Sequence, residues 1–88
     1  MNDDEAAGYL QQALNQVVPG TTVSRLDPDE VLRDVLEMDS LDFLTFAEQL
    51  SALSGLRVDE DDYPALATTR SCVRFLTSRA AQPAGPGG

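Results

Sequence analysis

The sequence predicts an all-α fold, a small bundle of three main helices with short helical pieces between them. Two observations lead to this prediction. Apolar residues recur at helical spacing of three and four residues in three separate segments, and no segment keeps the alternation that is typical of a strand. The chain has 88 residues, of which 42% are hydrophobic, so we expect one domain with one modest core.

The first main helix is predicted from about Asp4 to Val17. Asp3 or Asp4 can cap it, because a carboxylate accepts hydrogen bonds from the free amides of a first turn. Its apolar residues fall on one helical face, and they are Ala6, Leu10, Ala13, Leu14 and Val17. The pair Pro19-Gly20 is expected to end the segment.

A long connection, residues 18–39, follows the first helix. Asp27-Pro28-Asp29-Glu30 indicates the start of a short helical piece, with Asp27 as its cap and Pro28 at its first helical position. A loop of this length in a small domain is usually functional.

The second main helix is predicted from Ser40 to about Leu53. Asp39 is a suitable N-cap and Gly55 a suitable stop signal. The apolar surface of this helix is wide. We therefore expect part of it to lie in the core and part to remain available to partners or cargo.

An acidic turn at residues 58–66 leads to a short helical element, because Pro64 favours an extended conformation at the residue before it. The last helix is predicted from about Thr69 to Arg79 with Thr68 as its cap. Its buried stripe is expected to contain Cys72, Val73, Phe75 and Leu76. The domain is thus assigned to residues 1–80, and residues 81–88, rich in proline and glycine, are expected to form a disordered tail.

The net charge is −9, and all 15 acidic residues lie within residues 1–64. An acidic body argues against binding to nucleic acid or to an anionic membrane surface, since both select for cationic proteins. It suits partner proteins with basic patches and speeds the encounter with them.

The chain has one cysteine, Cys72, so an intrachain disulfide is impossible and a reducing compartment is expected. The N-terminus is acidic where a signal peptide would be basic. No segment has the roughly 20 apolar residues of a membrane span. These features together predict a cytoplasmic protein.

The tripeptide Asp39-Ser40-Leu41 stands where the long loop meets the second helix. The chain contains no histidine and no lysine, so Ser40 lacks the base that a serine hydrolase requires. A serine that is exposed but not activated is better interpreted as an attachment point than as a nucleophile. The simpler alternative is that Asp39 and Ser40 only cap the helix.

Two acidic clusters have some of the carboxylates that a calcium site needs. Asp27 and Asp29 have the first spacing of an EF-hand loop, but Leu32 replaces the turn glycine and Met38 the closing glutamate. The cluster at residues 59–62 also lacks a turn glycine. Both clusters are interpreted as solvated acidic surface, and no metal site is predicted.

Residues 35–44, VLEMDSLDFL, resemble the signature of acyl carrier proteins, in which Asp-Ser-Leu leads into the second helix. The resemblance extends over roughly residues 4–79, because the predicted elements follow in the order of that family. Residues 50–58 resemble the family's exit from the signature helix, and residues 67–76 resemble the start of its last helix.

The resemblance implies that a phosphopantetheinyl transferase moves 4′-phosphopantetheine from coenzyme A onto Ser40. The thiol of this arm would then hold acyl groups as thioesters, while the protein itself catalyses nothing. The implied partners are the transferase and the acyl-loading, condensing and tailoring enzymes of a biosynthetic pathway, with basic docking patches. A monomer is expected.

The resemblance also assigns roles to other residues. Those expected to contact partners are Asp39, Leu41, Asp42, Leu44, Ala47 and Glu48. Those expected to line an interior pocket for the acyl chain are Phe46, Leu50, Leu66, Val73 and Leu76.

The sequence departs from the family pattern in ways that favour a dedicated carrier of one specialised pathway, such as a polyketide pathway, over the general fatty-acid carrier. Glu37 stands where the family often has glycine, and the signature helix carries only Asp42 and Glu48 as acids after the serine. Two alternatives remain open. One is a peptidyl or aminoacyl carrier of a nonribosomal pathway, and the other is an unmodified acidic helical adaptor that binds a partner through Leu44 and Ala47.

Overall fold

The computed structural model describes residues 1–82 and contains four α-helices and two 3₁₀ helices. In chain order these are α1 (Asp3–Val17), a 3₁₀ turn (Val23–Arg25), α2 (Leu32–Val35), α3 (Ser40–Ser54), an acidic 3₁₀ helix (Glu60–Leu66) and α4 (Thr69–Ala81). Within these 82 residues the β-structure is limited to one isolated bridge, between Val31 and Thr68. The prediction of an all-α bundle is therefore confirmed.

Each of the three long helices begins with a reciprocal capping box. Asp39 and Thr68 cap α3 and α4 as predicted. The cap of α1 is Asn2, whose side-chain oxygen accepts from the Glu5 amide at 2.8 Å. The prediction of Asp3 or Asp4 was wrong because these residues already lie in the first turn, where their charges suit the positive end of the helix dipole.

The hydrophobic core forms where α1 packs against α3 and α4. Its largest side chains are completely shielded from solvent, and each contributes about 1.5–3 kcal/mol by burial. The fully buried members with the largest volumes are Phe46, Leu10, Leu14, Leu32, Leu50, Leu66, Leu76 and Cys72.

Polar side chains of α1 fix the start of the long loop. Asn15 donates to the carbonyl of Thr21 at 2.9 Å, and the Gln11 side chain both donates to that carbonyl and accepts from the Val23 amide. Because the loop backbone finds its hydrogen-bond partners on α1, the loop can lie against the bundle without regular structure of its own.

The helical piece of the loop lies later than the sequence predicts. Asp27 caps no helix; its carboxylate accepts from the Asp29 amide at 2.9 Å in a tight turn. Val31 is extended and pairs with Thr68, and α2 begins only at Leu32. The local bond to Asp29 and the bridge to Thr68 both hold the chain out of a helix over this stretch.

Helix α4 continues to Ala81, two residues beyond its predicted end. Ala81, which was assigned to the predicted tail of residues 81–88, is thus helical, and residues 83–88 lie outside the described residues. Among residues 1–82, no helix combines the length and the apolar character needed to cross a bilayer.

Candidate functional site

Ser40 is the first residue of α3, and its side chain is exposed. The capping role falls to its neighbour, because the Asp39 carboxylate accepts from the Asp42 amide at 2.8 Å. Asp42 in turn accepts from the Asp39 amide at 3.4 Å. The hydroxyl of Ser40 is therefore left out of the cap, and the alternative that Ser40 serves as a cap is not what the structure shows.

A sharp turn before α3 sets the position of Ser40. Glu37 adopts a left-handed conformation with φ of 52°, the backbone that a glycine would take without strain. Met38 then donates its amide to the carbonyl of Arg33 at 2.9 Å, and its side chain is buried in the core. The anchored Met38 side chain and the capped helix hold the serine at the surface between them.

Arg33 is a neighbour of the serine that sequence reasoning missed. Its Nη2 donates a long hydrogen bond of 3.4 Å to Ser40 Oγ, and its guanidinium carbon lies 5.4 Å from the centre of the Phe43 ring. A cation at this distance from an aromatic face is attracted to it. No sequence signal pointed to Arg33, because its approach depends on how α2 and the turn at Glu37 fold.

A groove of about 460 Å³ opens beside Ser40, and most of the surface that lines it is apolar. The edge-to-face pair of Phe43 and Tyr63, with ring centres 5.4 Å apart, forms part of its wall. The lining residues are Val31, Arg33, Ser40, Phe43, Leu44, Tyr63, Pro64 and Ala67. The groove therefore runs between the end of the long loop, the start of α3 and the acidic 3₁₀ helix. We call it the serine groove.

Most of the residues predicted to contact partners are exposed. Leu41 is 74% and Leu44 41% exposed, Asp42 is half-buried, and Asp39 and Glu48 are exposed. Ala47 departs from the prediction, because it is only 2% exposed. It shares the buried side of α3 with Phe43, Phe46 and Leu50, so it packs in the core and offers no surface to a partner.

The residues predicted to line an acyl pocket lie in the packed interior. Four of them, Phe46, Leu50, Leu66 and Leu76, are completely buried, and Val73 is half-buried. None of the five lines the serine groove. The cavity next to the serine is thus built from different side chains, closer to the surface than the sequence indicated.

Within residues 1–82, no side chain accepts a hydrogen bond from the Ser40 hydroxyl. The only side chain in hydrogen-bond contact with Ser40 among the described residues is the guanidinium of Arg33, which has hydrogen-bond donors and no acceptor. Burial raises the pKa of the Cys72 thiol to about 12, so this thiol is not a nucleophile at neutral pH. Within residues 1–82, no three metal-ligating side chains gather at one place.

Residues 8–76 match the family model described as the phosphopantetheine attachment site, which covers more than half of the chain. A search of the curated proteins found no match. Domains of the matched family carry covalently attached 4′-phosphopantetheine. The residues present fit this group, because an exposed serine whose hydroxyl takes no part in the helix cap stands at a helix start beside an arginine and a groove.

Proposed function

The chain belongs to the phosphopantetheine-attachment family, and we propose that it carries acyl intermediates on an arm attached at Ser40. The single observation that carries this choice of residue is the exposed Ser40 hydroxyl at the first position of α3, left out of the helix cap. When bound, 4′-phosphopantetheine supplies a terminal thiol that holds the acyl group as a thioester.

The start of α3 suits a phosphate ester. The first amides of a helix have no intrahelical acceptors, and the helix dipole is positive at this end. Of these amides, that of Asp42 donates to the Asp39 carboxylate, and those of Ser40 and Leu41 have no acceptor among the described residues. The negative charge of the ester is therefore placed where the backbone favours it.

The protein's own contribution is transport. Carrier domains of this family are generally non-catalytic, and Ser40 has no base beside it among the described residues. We propose that the chain shuttles its cargo between the enzymes of a polyketide, fatty-acid or related pathway, as a discrete and monomeric carrier. The tether raises the local concentration of cargo at each docked enzyme.

Partners of carrier domains generally include a phosphopantetheinyl transferase and the enzymes of the pathway. We propose that they dock on the exposed face around Ser40, formed by Asp39, Leu41, Asp42, Leu44 and Glu48. The carboxylates would attract basic patches, and the exposed side chains of Leu41 and Leu44 would be buried in the interface.

The modification itself gives the direct test. The purified apo protein is incubated with coenzyme A and a broad-specificity phosphopantetheinyl transferase, and its intact mass is measured. We expect an increase of one phosphopantetheinyl group, absent in Ser40→Ala and retained in Ser24→Ala, which removes an exposed serine of the 3₁₀ turn.

No increase under conditions that modify a known carrier would overturn the proposal and favour the unmodified adaptor. If the increase occurs, loading the holo protein separately with acyl-transferring and aminoacyl-activating enzymes decides between an acyl carrier and a peptidyl carrier.

A further inference from the structure

Arg33 differs from the arginines that stabilise the fold. Three arginines form ion pairs with aspartates, namely Arg57 with Asp59, Arg70 with Asp29 and Arg79 with Asp62. Arg33, like Arg25 and Arg74, forms no ion pair within residues 1–82, although Asp34 and Glu37 are close to it in sequence. Its positive charge is available to an anion from outside the folded chain.

The guanidinium of Arg33 is held in place by an aromatic ring. It lies over Phe43, which itself makes edge-to-face contacts with Phe46 at 6.0 Å and with Tyr63 at 5.4 Å. Phe43 is only 9% exposed, so the ring under the guanidinium is part of the packed core. The guanidinium therefore lies beside Ser40 over a packed ring, whose attraction for a cation favours this position.

We propose that Arg33 binds the phosphodiester that joins the arm to Ser40, and that this contact lays the first part of the arm in the serine groove. The inference rests on the proposed attachment at Ser40. A phosphate on Ser40 Oγ is bonded to the atom that Arg33 Nη2 already contacts at 3.4 Å. Guanidinium and phosphate form charge-assisted hydrogen bonds, which are stronger than those between neutral groups.

The serine groove offers the arm a mostly apolar lining and enough volume for a small molecule. Its volume of about 460 Å³ lies within the range of small-molecule sites. Ser40 and Arg33 stand at the groove, and the rings of Phe43 and Tyr63 offer apolar surface to the dimethyl group of the pantoyl unit. The arm of this chain is therefore the occupant, and a partner enzyme has to displace the contact with Arg33 to draw the arm out.

Nuclear Overhauser effects (NOEs) test this inference in the holo protein. We expect NOEs between the pantoyl methyl protons and the ring protons of Phe43 and Tyr63. Arg33→Gln should lower the ratio of docked to free arm about threefold, as for the loss of an exposed ion pair. Arg25→Gln removes the same charge from a residue that does not line the groove and should leave the NOEs unchanged.

The outcomes separate the two proposals. Absence of the mass increase at Ser40 would refute the attachment itself. A normal mass increase without arm-to-ring NOEs, or with equal NOEs in Arg33→Gln, would overturn the role of Arg33 and leave the carrier function standing.

Wild-type holo protein alone supplies a second measurement. As ionic strength rises, the arm-to-ring NOEs should weaken and the ³¹P chemical shift should move, because salt screens an exposed ion pair. An arm whose signals do not respond to salt is not held by Arg33.

Discussion

Arg70 and Asp29 form a two-point ion pair across 41 residues of sequence. Arg70 Nε donates to Oδ1 at 2.7 Å and Nη2 donates to Oδ2 at 3.2 Å. The amide of Arg70 also donates to the carbonyl of Pro28 at 3.0 Å. The start of α4 thereby holds the turn at residues 27–30, where the sequence predicts the start of a helical piece.

This pair predicts a pH dependence of stability. The hydrogen bond from Arg70 lowers the pKa of Asp29 below its ordinary value. A lowered pKa in the folded chain means that the pair stabilises the fold above the unfolded pKa of about 3.9, and that this gain is lost as the pH falls through the folded pKa. Urea unfolding should therefore show Asp29→Asn less stable than the wild type at neutral pH, with the difference shrinking below about pH 4.

Asp61→Asn is the control, because Asp61 is exposed and forms no ion pair among the described residues. It should cause no loss of stability at neutral pH. An effect of Asp29→Asn that stays constant from neutral to acidic pH would contradict the prediction.

Glu37 carries a backbone strain that can be relieved. Its φ of 52° lies in the left-handed region, where a side chain costs about 1–2 kcal/mol. Glu37→Gly should raise the free energy of unfolding by about 1 kcal/mol, after allowance for the greater freedom of glycine in the unfolded chain.

Gly55 provides the reciprocal variant. It ends α3 with φ of 72°, and Gly55→Ala should lower the free energy of unfolding by about 1 kcal/mol. Chemical denaturation of both variants measures the two effects. If Glu37→Gly proved destabilising, side-chain contacts of Glu37 would outweigh the strain.

Because Cys72 is buried, the number of thiols that react in the native protein should distinguish the apo form from the holo form. Cys72 is completely shielded, and burial raises its pKa to about 12. At neutral pH the apo protein should react with Ellman's reagent only after denaturation, whereas the holo protein should show one fast thiol, that of the arm. Rapid reaction of the native apo protein would contradict the burial of Cys72.

Substitution of Leu41 should weaken docking of the transferase without lowering the stability of the fold. Because its side chain is 74% exposed, Leu41→Ala should change the free energy of unfolding by no more than about 0.5 kcal/mol. It should lower kcat/KM of the transferase, if the exposed face of α3 is where that enzyme docks. Val35→Ala, which truncates an exposed residue outside α3, should leave kcat/KM unchanged.

Phe46→Ala is the contrasting variant on the same helix. Its side chain is completely buried, and its truncation should cost about 3–5 kcal/mol of stability. Equal effects of Leu41→Ala and Phe46→Ala on unfolding would contradict the assignment of the exposed and buried faces of α3.

Local signals in the sequence located the helices well. Asp39 and Gly55 bound α3, and the observed helix, Ser40–Ser54, extends one residue past the prediction. Caps and stop residues act through neighbouring backbone groups, so their effect is visible in a short stretch of sequence. The loop was not predictable in this way, because its course depends on Gln11 of α1 and on the pairing of Val31 with Thr68.

The position of Ser40 at the start of α3 was likewise predicted, whereas the groove beside it was not. Helical periodicity selects residues such as Phe46 and Leu50 that face the interior, but it does not distinguish a packed core from a cavity. The groove depends on Tyr63 of the acidic 3₁₀ helix reaching Phe43, a contact between segments far apart in sequence. Arg33 was missed because its approach to Ser40 depends on how α2 and the turn at Glu37 fold.

Main-chain contacts join the end of the long loop to the start of α4. Val31 pairs with Thr68, and the Leu32 amide donates to the carbonyl of Ala67 at 2.8 Å. Val31 and Ala67 also stand on the rim of the serine groove. Exchange of the Val31 or Ala67 side chain leaves these main-chain contacts in place, so an engineer can vary the groove at these two positions without removing them.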